Sequence, residues 1–435
     1  MENGTAEQPA ADAPKKPKLT RLKIESFRNV EPCELRFGDG FNVLLGLNAT
    51  GKTTLLELIA AALSFDFSKF EDEAFAIEYD LEFSTGQIKA SVRSERLERL
   101  VIDDPTFQIS ESVTFDRAIR IEFDFAGASK AWIVRADSSF FWLEDNPDRK
   151  RPLRIQRERR SGPGLLLRAL AIDFKDSSAG AHIAELYSWQ YARRFDEALD
   201  MFRGITDPTT WLELTTDRSD TEHMRINFGG VLPQYLINEA RARAANMATD
   251  LQGLTIQAES LRFLHEASAL FGFKTARLEM RLESKTSGAT ESLKFSDFRF
   301  MFEAHDGSVI RHEDLSYGQK RLLAFYYYLA ASPMTVIADE LVDGLHHLWI
   351  DEAIEAIGDR QAFLASQNPL LLDHLEFDSA EQVASTFITC RAELSGDDKR
   401  MSWSNMSTYD AERFFRAYQV DVKHVSEILL SKGLW

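Results

Sequence analysis

The 435-residue chain predicts an α/β fold with an antiparallel β layer and a central helical insertion. Three observations carry this. A buried-strand pattern, FNVLLG (41–46), runs into a glycine-rich turn and then into a segment of helical period. A second apolar strand, MTVIADE (334–340), ends on two acids. Between them lie period-two segments from 75 to 143 and helix-like stretches at roughly 181–203 and 233–271.

Taken in order, residues 1–18 carry Ala, Pro, Glu and Lys without an apolar core, and read as a disordered lead, not a secretory signal. Residues 19–150 form an N-terminal half. RLKIESF and ELRF alternate as strands do, and FGDGF turns through Asp39-Gly40 into FNVLLG. From Lys52 the period changes, and Leu55, Leu56, Leu58, Ile59, Ala62 and Leu63 mark one face of a helix. AIEYDLEF, QIKASVR, AIRIEFDF, AWIVRA and SFFWLE then read as the antiparallel layer. Residues 151–272 hold a basic segment and the helical insertion, without the heptads of a long coiled coil. Residues 273–435 form the C-terminal half, with strands in KTARLEMRLES and a hairpin through Asp306-Gly307.

Composition bounds the function. Hydrophobic content is 44% and charged content 28%, as in globular proteins. No apolar run approaches the ~20 residues of a membrane span. Two cysteines, Cys33 and Cys390, lie in strand-like contexts without metal-ligand spacing, so a reduced, cytoplasmic protein is expected. The net charge of −18 makes any nucleic-acid surface local.

The turn after FNVLLG is GLNATGKT, Gly46 to Thr53, which fits G-x-x-x-x-G-K-[ST] with a strand before and a helix after. Glycines let backbone N–H groups curl around phosphate, and the helix N-terminus adds its positive end. Gly46, Asn48, Ala49, Thr50, Gly51, Lys52, Thr53 and Thr54 are therefore candidates to bind a nucleotide, ATP. Lys52 would reach the β- and γ-phosphates, and the Thr53 hydroxyl would ligate Mg²⁺. The acidic strand supplies the complement: Asp339 for the metal, and Glu340 to orient or deprotonate the attacking water.

LSYGQKR (315–321) stands immediately before a helix that leads into that strand. It resembles the signature motif of ABC-type ATPases. The resemblance implies that Ser316, Gly318 and Gln319 cap the γ-phosphate of ATP held by a second subunit, so that two composite sites need a homodimer or a higher homo-oligomer. Ser316 also reads as an ordinary helix cap, and both can hold. The ordered set resembles the RecF/SMC-like branch, in particular OLD-type AAA ATPases of prokaryotic defence, over about 19–63 and 312–375. LKIESFRNV looks like the family's first strand, which would bring Arg28 towards the nucleotide. DELVDGLHH resembles its "DE…GLHP" run, which makes Asp343 the D-loop residue; Asp343 also reads as a helix N-cap. FLASQNPLLLD resembles its switch, with Gln367 where a histidine is usual. Gln can hydrogen-bond water and phosphate but carries no imidazole charge.

The resemblance implies an ATPase that hydrolyses ATP to ADP and phosphate and that regulates a separate nuclease or toxin, as in PARIS- or Septu-type pairs; Gln367 is compatible with slow turnover and equally with unaltered turnover. About 60 residues follow the switch, too few for a Toprim nuclease domain. A RecF-like DNA-repair ATPase and a scaffold or antitoxin-like binder of ATP are the alternatives. Arg149, Lys150, Arg151, Arg154, Arg157, Arg159 and Arg160 form a basic patch that could meet nucleic acid, an acidic partner or the protein's own carboxylates. Gln156 beside them is a candidate for the family's Q-loop, with an exposed polar residue as the equal alternative. His346, His347 and His374 lack the spacing of a metal cage.

Overall fold

The structure is a computed structural model. It describes residues 18–83, 86–103, 108–125, 128–136, 140–144, 155–156, 194–207, 209–217, 222–226, 232–245, 252–286, 290–332, 334–395, 398–420 and 424–434. These fall into two compact units, one within Met1–Asp39 and Phe67–Leu186, the other within Gly40–Asp66 and Tyr187–Trp435.

The first unit is an antiparallel sheet of eight strands in the order β2-β1-β4-β5-β6-β7-β8-β9. They are β1 (Lys18–Phe27), β2 (Cys33–Arg36), β4 (Phe75–Phe83), β5 (Gly86–Asp103), β6 (Gln108–Phe125), β7 (Ala128–Ala136), β8 (Phe140–Glu144) and β9 (Ile155–Gln156). Strict alternation in FAIEYDLEF buries Phe75, Ile77, Tyr79, Leu81 and Phe83 on one face, as a half-covered sheet requires. Phe27, Phe70 and Phe75 pack edge to face at one end. Burial pushes the Cys33 thiol up to about 11, so it stays protonated, and Cys390 is buried; both are free. The expected antiparallel layer beside the first strands is present.

The second unit is built on a five-stranded sheet, β16-β17-β3-β18-β19. Its strands are β3 (Phe41–Leu45), β16 (Thr335–Asp339), β17 (Gln361–Ala365), β18 (Phe387–Ser395) and β19 (Asp398–Asn405). The first four run parallel, and β19 returns antiparallel. FNVLL, TVIAD and QAFLA are apolar runs because helices cover both faces. These helices include α1 (Lys52–Ser64), α5 (Tyr317–Ala331), α6 (His347–Ile357), α7 (Pro369–Asp373), α8 (Ala380–Thr386), α9 (Thr408–Val420) and α10 (Val425–Ser431). A second sheet, antiparallel, runs β11-β10-β14-β13-β12, with β15 on β14. It comprises β10 (Trp211–Asp217), β11 (Glu222–Ile226), β12 (Gly253–Gln257), β13 (Thr275–Thr286), β14 (Thr290–Glu303) and β15 (Val309–Arg311).

Helix α5 lies between the two sheets, and one apolar core contains Phe300 of β14, Phe325 and Tyr327 of α5, and Val336 of β16. Burying its Leu and Phe side chains stabilises the unit by about 1.5–3 kcal/mol each. Asp306-Gly307 does form the expected hairpin: Gly307 takes φ of 83°, and Asp306 accepts from the Ser308 N–H at 2.9 Å.

The insertion departs from the helical expectation. Among the described residues of 181–271, helices α2 (Phe195–Thr206), α3 (Gln234–Ala245) and α4 (Arg262–Leu270) share the space with β10, β11 and β12. The 233–271 stretch breaks at GLTIQ, where Leu254 and Ile256 point inward with period two and pair with β13. Tertiary pairing overrides the local helical reading there. No helix among the described residues is long and apolar enough to cross a membrane.

Candidate functional site

The loop after β3 depends on residues that accept left-handed backbone: Ala49 and Gly51 take φ of 61° and 88°. A side chain at Gly51 would also strike the Met401 sulfur and the Trp403 indole, so glycine is required there for two reasons. Thr50 closes the turn by donating its hydroxyl to the Leu47 carbonyl at 2.8 Å. Lys52 is buried, and its Nζ donates to the carbonyls of Gly46 at 2.6 Å and Leu47 at 3.1 Å. An ammonium held across the loop in this way is placed to meet an anion there.

Asp339 ends β16 beside the loop, and its carboxylate accepts a hydrogen bond from the Thr53 hydroxyl. Glu340 follows in left-handed backbone, φ 49°, with its N–H donating to the Ala365 carbonyl at 2.8 Å. Its carboxylate accepts from the Gln367 N–H at 3.1 Å and the Ser366 hydroxyl at 3.3 Å. Ser366 in turn accepts from the Asn368 N–H at 3.0 Å, and Asn368 caps α7. The turn after β17 thus fixes the acid that would act on water.

A cavity of about 360 Å³ is lined by the loop from Asn48 to Thr54, by Asp339 and Glu340, and by Gln367 and Met401. These residues fit a magnesium nucleotide. The glycine positions leave backbone room for phosphate, Lys52 offers charge, and the Thr53–Asp339 pair offers hard oxygens suited to a divalent cation.

Ser316 caps α5 through a closed capping box: its hydroxyl accepts from the Gln319 N–H at 3.3 Å, and the Gln319 carboxamide accepts from the Ser316 N–H at 2.9 Å. Ser316 is exposed, Gln319 is half-buried, and Tyr317 between them is 65% exposed. Behind this tip, a Cβ on Gly318 would come within 2.9 Å of the Gly344 carbonyl. Asp343 is an exposed turn residue whose N–H donates to the Glu340 carbonyl at 3.2 Å. Its reading as a helix N-cap is corrected: α6 begins at His347 with His346 as the cap, because residues 341–344 turn before the helix starts.

Arg28 belongs to the first unit. Its guanidinium pairs with Glu73 at 2.6 Å and lies over the rings of Phe27 and Phe70. Gln156 forms β9, paired with Phe140. Arg149, Lys150, Arg151, Arg154, Arg157, Arg159 and Arg160 lie outside the described residues.

Several residues at the site escaped sequence reasoning. From β19, the Trp403 indole N–H donates to the Thr50 carbonyl at 3.1 Å, and Lys399 Nζ donates to the Ala49 carbonyl at 2.5 Å. Arg321, the last residue of LSYGQKR, is buried and donates to the carbonyls of Leu341, at 3.3 Å, and Glu340. Asp196, at the start of α2, lies beside Asp339. Burial raises its pKa, the charge of Asp339 adds to that rise, and Arg194 opposes it. The alternation in MSWS marks a strand, but nothing local says which loop it will brace.

A parallel sheet that holds the glycine-rich loop and the acidic strand two places apart, with the signature helix feeding that strand, defines the class: this is an ABC-type P-loop ATPase fold. More particularly, the chain belongs to the family described as "AAA domain, putative AbiEii toxin, Type IV TA system", whose model matches residues 41–373. Curated relatives include the DNA replication and repair protein RecF of Shewanella pealeana, 32% identical over 103 residues, covering 19% of this chain and 29% of the relative. RecF of Vibrio cholerae is 51% identical over 41 residues, 9% of this chain and 11% of the relative. Each match spans less than a third of the relative's length. Among solved structures, an Smc head bound to the C-winged helix domain of ScpA aligns with a TM-score of 0.40 at 12% identity, over 90% of this chain and 98% of that one. The SMC head domain from Thermotoga maritima gives 0.32 at 11%, over 88% and 98%.

Proposed function

We propose that the protein binds ATP with Mg²⁺ and hydrolyses it, that two copies close around two nucleotides, and that this cycle regulates a separate effector in prokaryotic antiviral defence. One observation carries the reading. The signature tip is exposed at Ser316 and Tyr317, while the same helix holds the backbone of Glu340, the acid proposed to act on water, through Arg321. A helix end that faces outward yet is tied to Glu340 suits capture by the nucleotide of a second copy.

Within one copy, Lys52 would leave the Gly46 and Leu47 carbonyls for the phosphates. Thr53 and Asp339 would hold the cation, which when bound neutralises phosphate charge. Glu340, fixed by Ser366 and Gln367, would orient or deprotonate water. The Gln367 side chain would hydrogen-bond that water without adding charge, which suits slow turnover. The defence role and the nuclease or toxin partner rest on the OLD-type resemblance. A family description that names a toxin of a Type IV TA system supports them.

The RecF relatives favour a second reading, a DNA-associated ATPase. It requires salt-sensitive duplex binding that depends on ATP and on the arginines of 149–160.

The test is the mass in solution of Glu340→Gln, with and without Mg-ATP, beside a Lys52→Ala control. ATP-dependent association that disappears with Lys52→Ala supports the closing dimer. ATP binding without any change of mass overturns it.

A further inference from the structure

We propose that the cavity among α3, α4, α5 and α6 is a binding site for a small organic cation, an ammonium or guanidinium group carried on an apolar body. It stands apart from the nucleotide loop, because no residue lines both cavities.

The helices present their faces to this cavity with the spacing of a helix surface. Tyr326, Leu329 and Ala330 come from α5, and Glu352, Glu355 and Ala356 from α6. Alanines stand where larger side chains would fill the space, and a volume of about 790 Å³ remains. Small-molecule sites typically hold ~300–1,000 Å³ and lie between helices in this way. The α5 wall belongs to the helix whose Arg321 holds the Glu340 carbonyl, so an occupant would lie on the helix that joins the signature motif to that acid.

One polar group lies deep. Tyr326 is only 6% exposed, and its hydroxyl makes no hydrogen bond with any described residue. The carboxylates that act on this phenol, those of Glu352, Glu266 and Glu355, all line the same cavity, so the hydroxyl faces into it. Burial first, and these charges second, push the phenol up to about 12. It therefore stays protonated, and its oxygen is open to accept from a ligand N–H. Beside it, the rings of Tyr235 and Phe263 stand 6.3 Å apart and offer the π faces that attract cations.

The sign of the ligand follows from which charges are already paired. Arg262 is held by Glu266 at 2.7 Å, and Arg360 Nη1 donates to the carbonyls of Ala356 at 3.0 Å and Ile357 at 2.8 Å. Glu352 and Glu355 pair with no cation among the described residues, and they stand three apart on α6, where like charges repel. An anion would meet these two carboxylates and guanidinium groups that are already engaged. A cation relieves the repulsion, and its apolar body covers Phe263 and Leu329, which water would leave wet. Solvent exposure alone accounts for the two acids, but not for the buried hydroxyl and the rings beneath them.

Binding of 4-phenylbutylammonium, 4-phenylbutanol and 4-phenylbutanoate, followed by saturation-transfer NMR without nucleotide, tests this on wild type, on Glu352→Gln combined with Glu355→Gln, and on Tyr326→Phe. Wild type should bind the ammonium about tenfold more tightly than the alcohol, and the carboxylate most weakly. The double variant should lose that preference while keeping its affinity for the alcohol. Tyr326→Phe should weaken the ammonium about fivefold at an unchanged thermal midpoint. No binding of the ammonium, equal affinity for the three probes, or a preference that survives the double variant overturns the inference. So does a lowered midpoint in Tyr326→Phe with equal loss for every probe, which marks a structural hydroxyl. The peptide acetyl-Leu-Leu-Lys-Leu-Leu-amide separates a free ligand from a side chain of a partner protein. If it binds more tightly than the amine, and only with both glutamates present, the cavity takes a partner's lysine and the small-molecule assignment falls. Because no nucleotide is present, these outcomes leave the ATP reading untouched.

Discussion

Three residues of β19, Lys399, Met401 and Trp403, face the glycine-rich loop with the alternation of a strand, and each meets a different point of it. Trp403 is almost wholly buried and gives the Thr50 carbonyl its partner, so the loop's curvature rests on a side chain some 350 residues away. Trp403→Phe keeps most of the packing and removes that donor. The loss should cost about 1 kcal/mol in stability and weaken ATP binding about fivefold. Denaturant unfolding and equilibrium nucleotide binding check it, and an unchanged ATP affinity would show that the loop keeps its shape unaided.

At the scale of elements, α5 does two jobs that its sequence keeps apart. Its aromatic run, FYYY, joins the two sheets in one core, and its first turn carries the signature motif, exposed at Ser316 and Tyr317. Arg321 connects them by donating to the carbonyls of Glu340 and Leu341. Arg321→Met would leave buried carbonyls without their donor, at about 1–3 kcal/mol, and would loosen the acid's backbone. ATP affinity should stay within about twofold while kcat falls about tenfold, since one pKa-sized step of 1.4 kcal/mol at the transition state is a factor of ten. Equal losses in binding and turnover would instead place Arg321 in general folding. The insertion is the element that misled: GLTIQ and WLELTTD carry strand periods, but the helical residues around them dominate a local window.

For the whole molecule, pH reads the packing of the second unit. His312 is buried between Phe202 and Phe300, and burial lowers its pKa below the ordinary value of 6.5. A folded pKa below the unfolded one means that the unfolded chain binds the extra proton. This contribution is complete above about pH 6.5 and is lost as pH falls through the folded value. The thermal midpoint should drop between about pH 7 and pH 5, and His312→Phe should flatten that slope. An identical slope in the variant would assign the acid sensitivity to other groups. The proposed association of two copies around ATP, to be tested with Glu340→Gln, belongs to the same scale, because one chain supplies one loop and one signature motif.

What the sequence determined by itself were the features that depend on neighbours in the chain. GLNATGKT between a strand and a helix, MTVIADE with its terminal acids, LSYGQKR ahead of an apolar helix and the alternation of 75–83 are all local periods and spacings, and all stand in the structure where they were expected. Tertiary structure alone decided which distant residues complete them. Trp403 under the loop, Arg321 behind Glu340, Asp196 beside Asp339 and the recruitment of β10, β11 and β12 into a sheet all join segments far apart in the chain. The physical reason is that a strand edge, a buried carbonyl or an unpaired carboxylate is satisfied by whatever the fold brings near, and a local pattern carries no record of that partner.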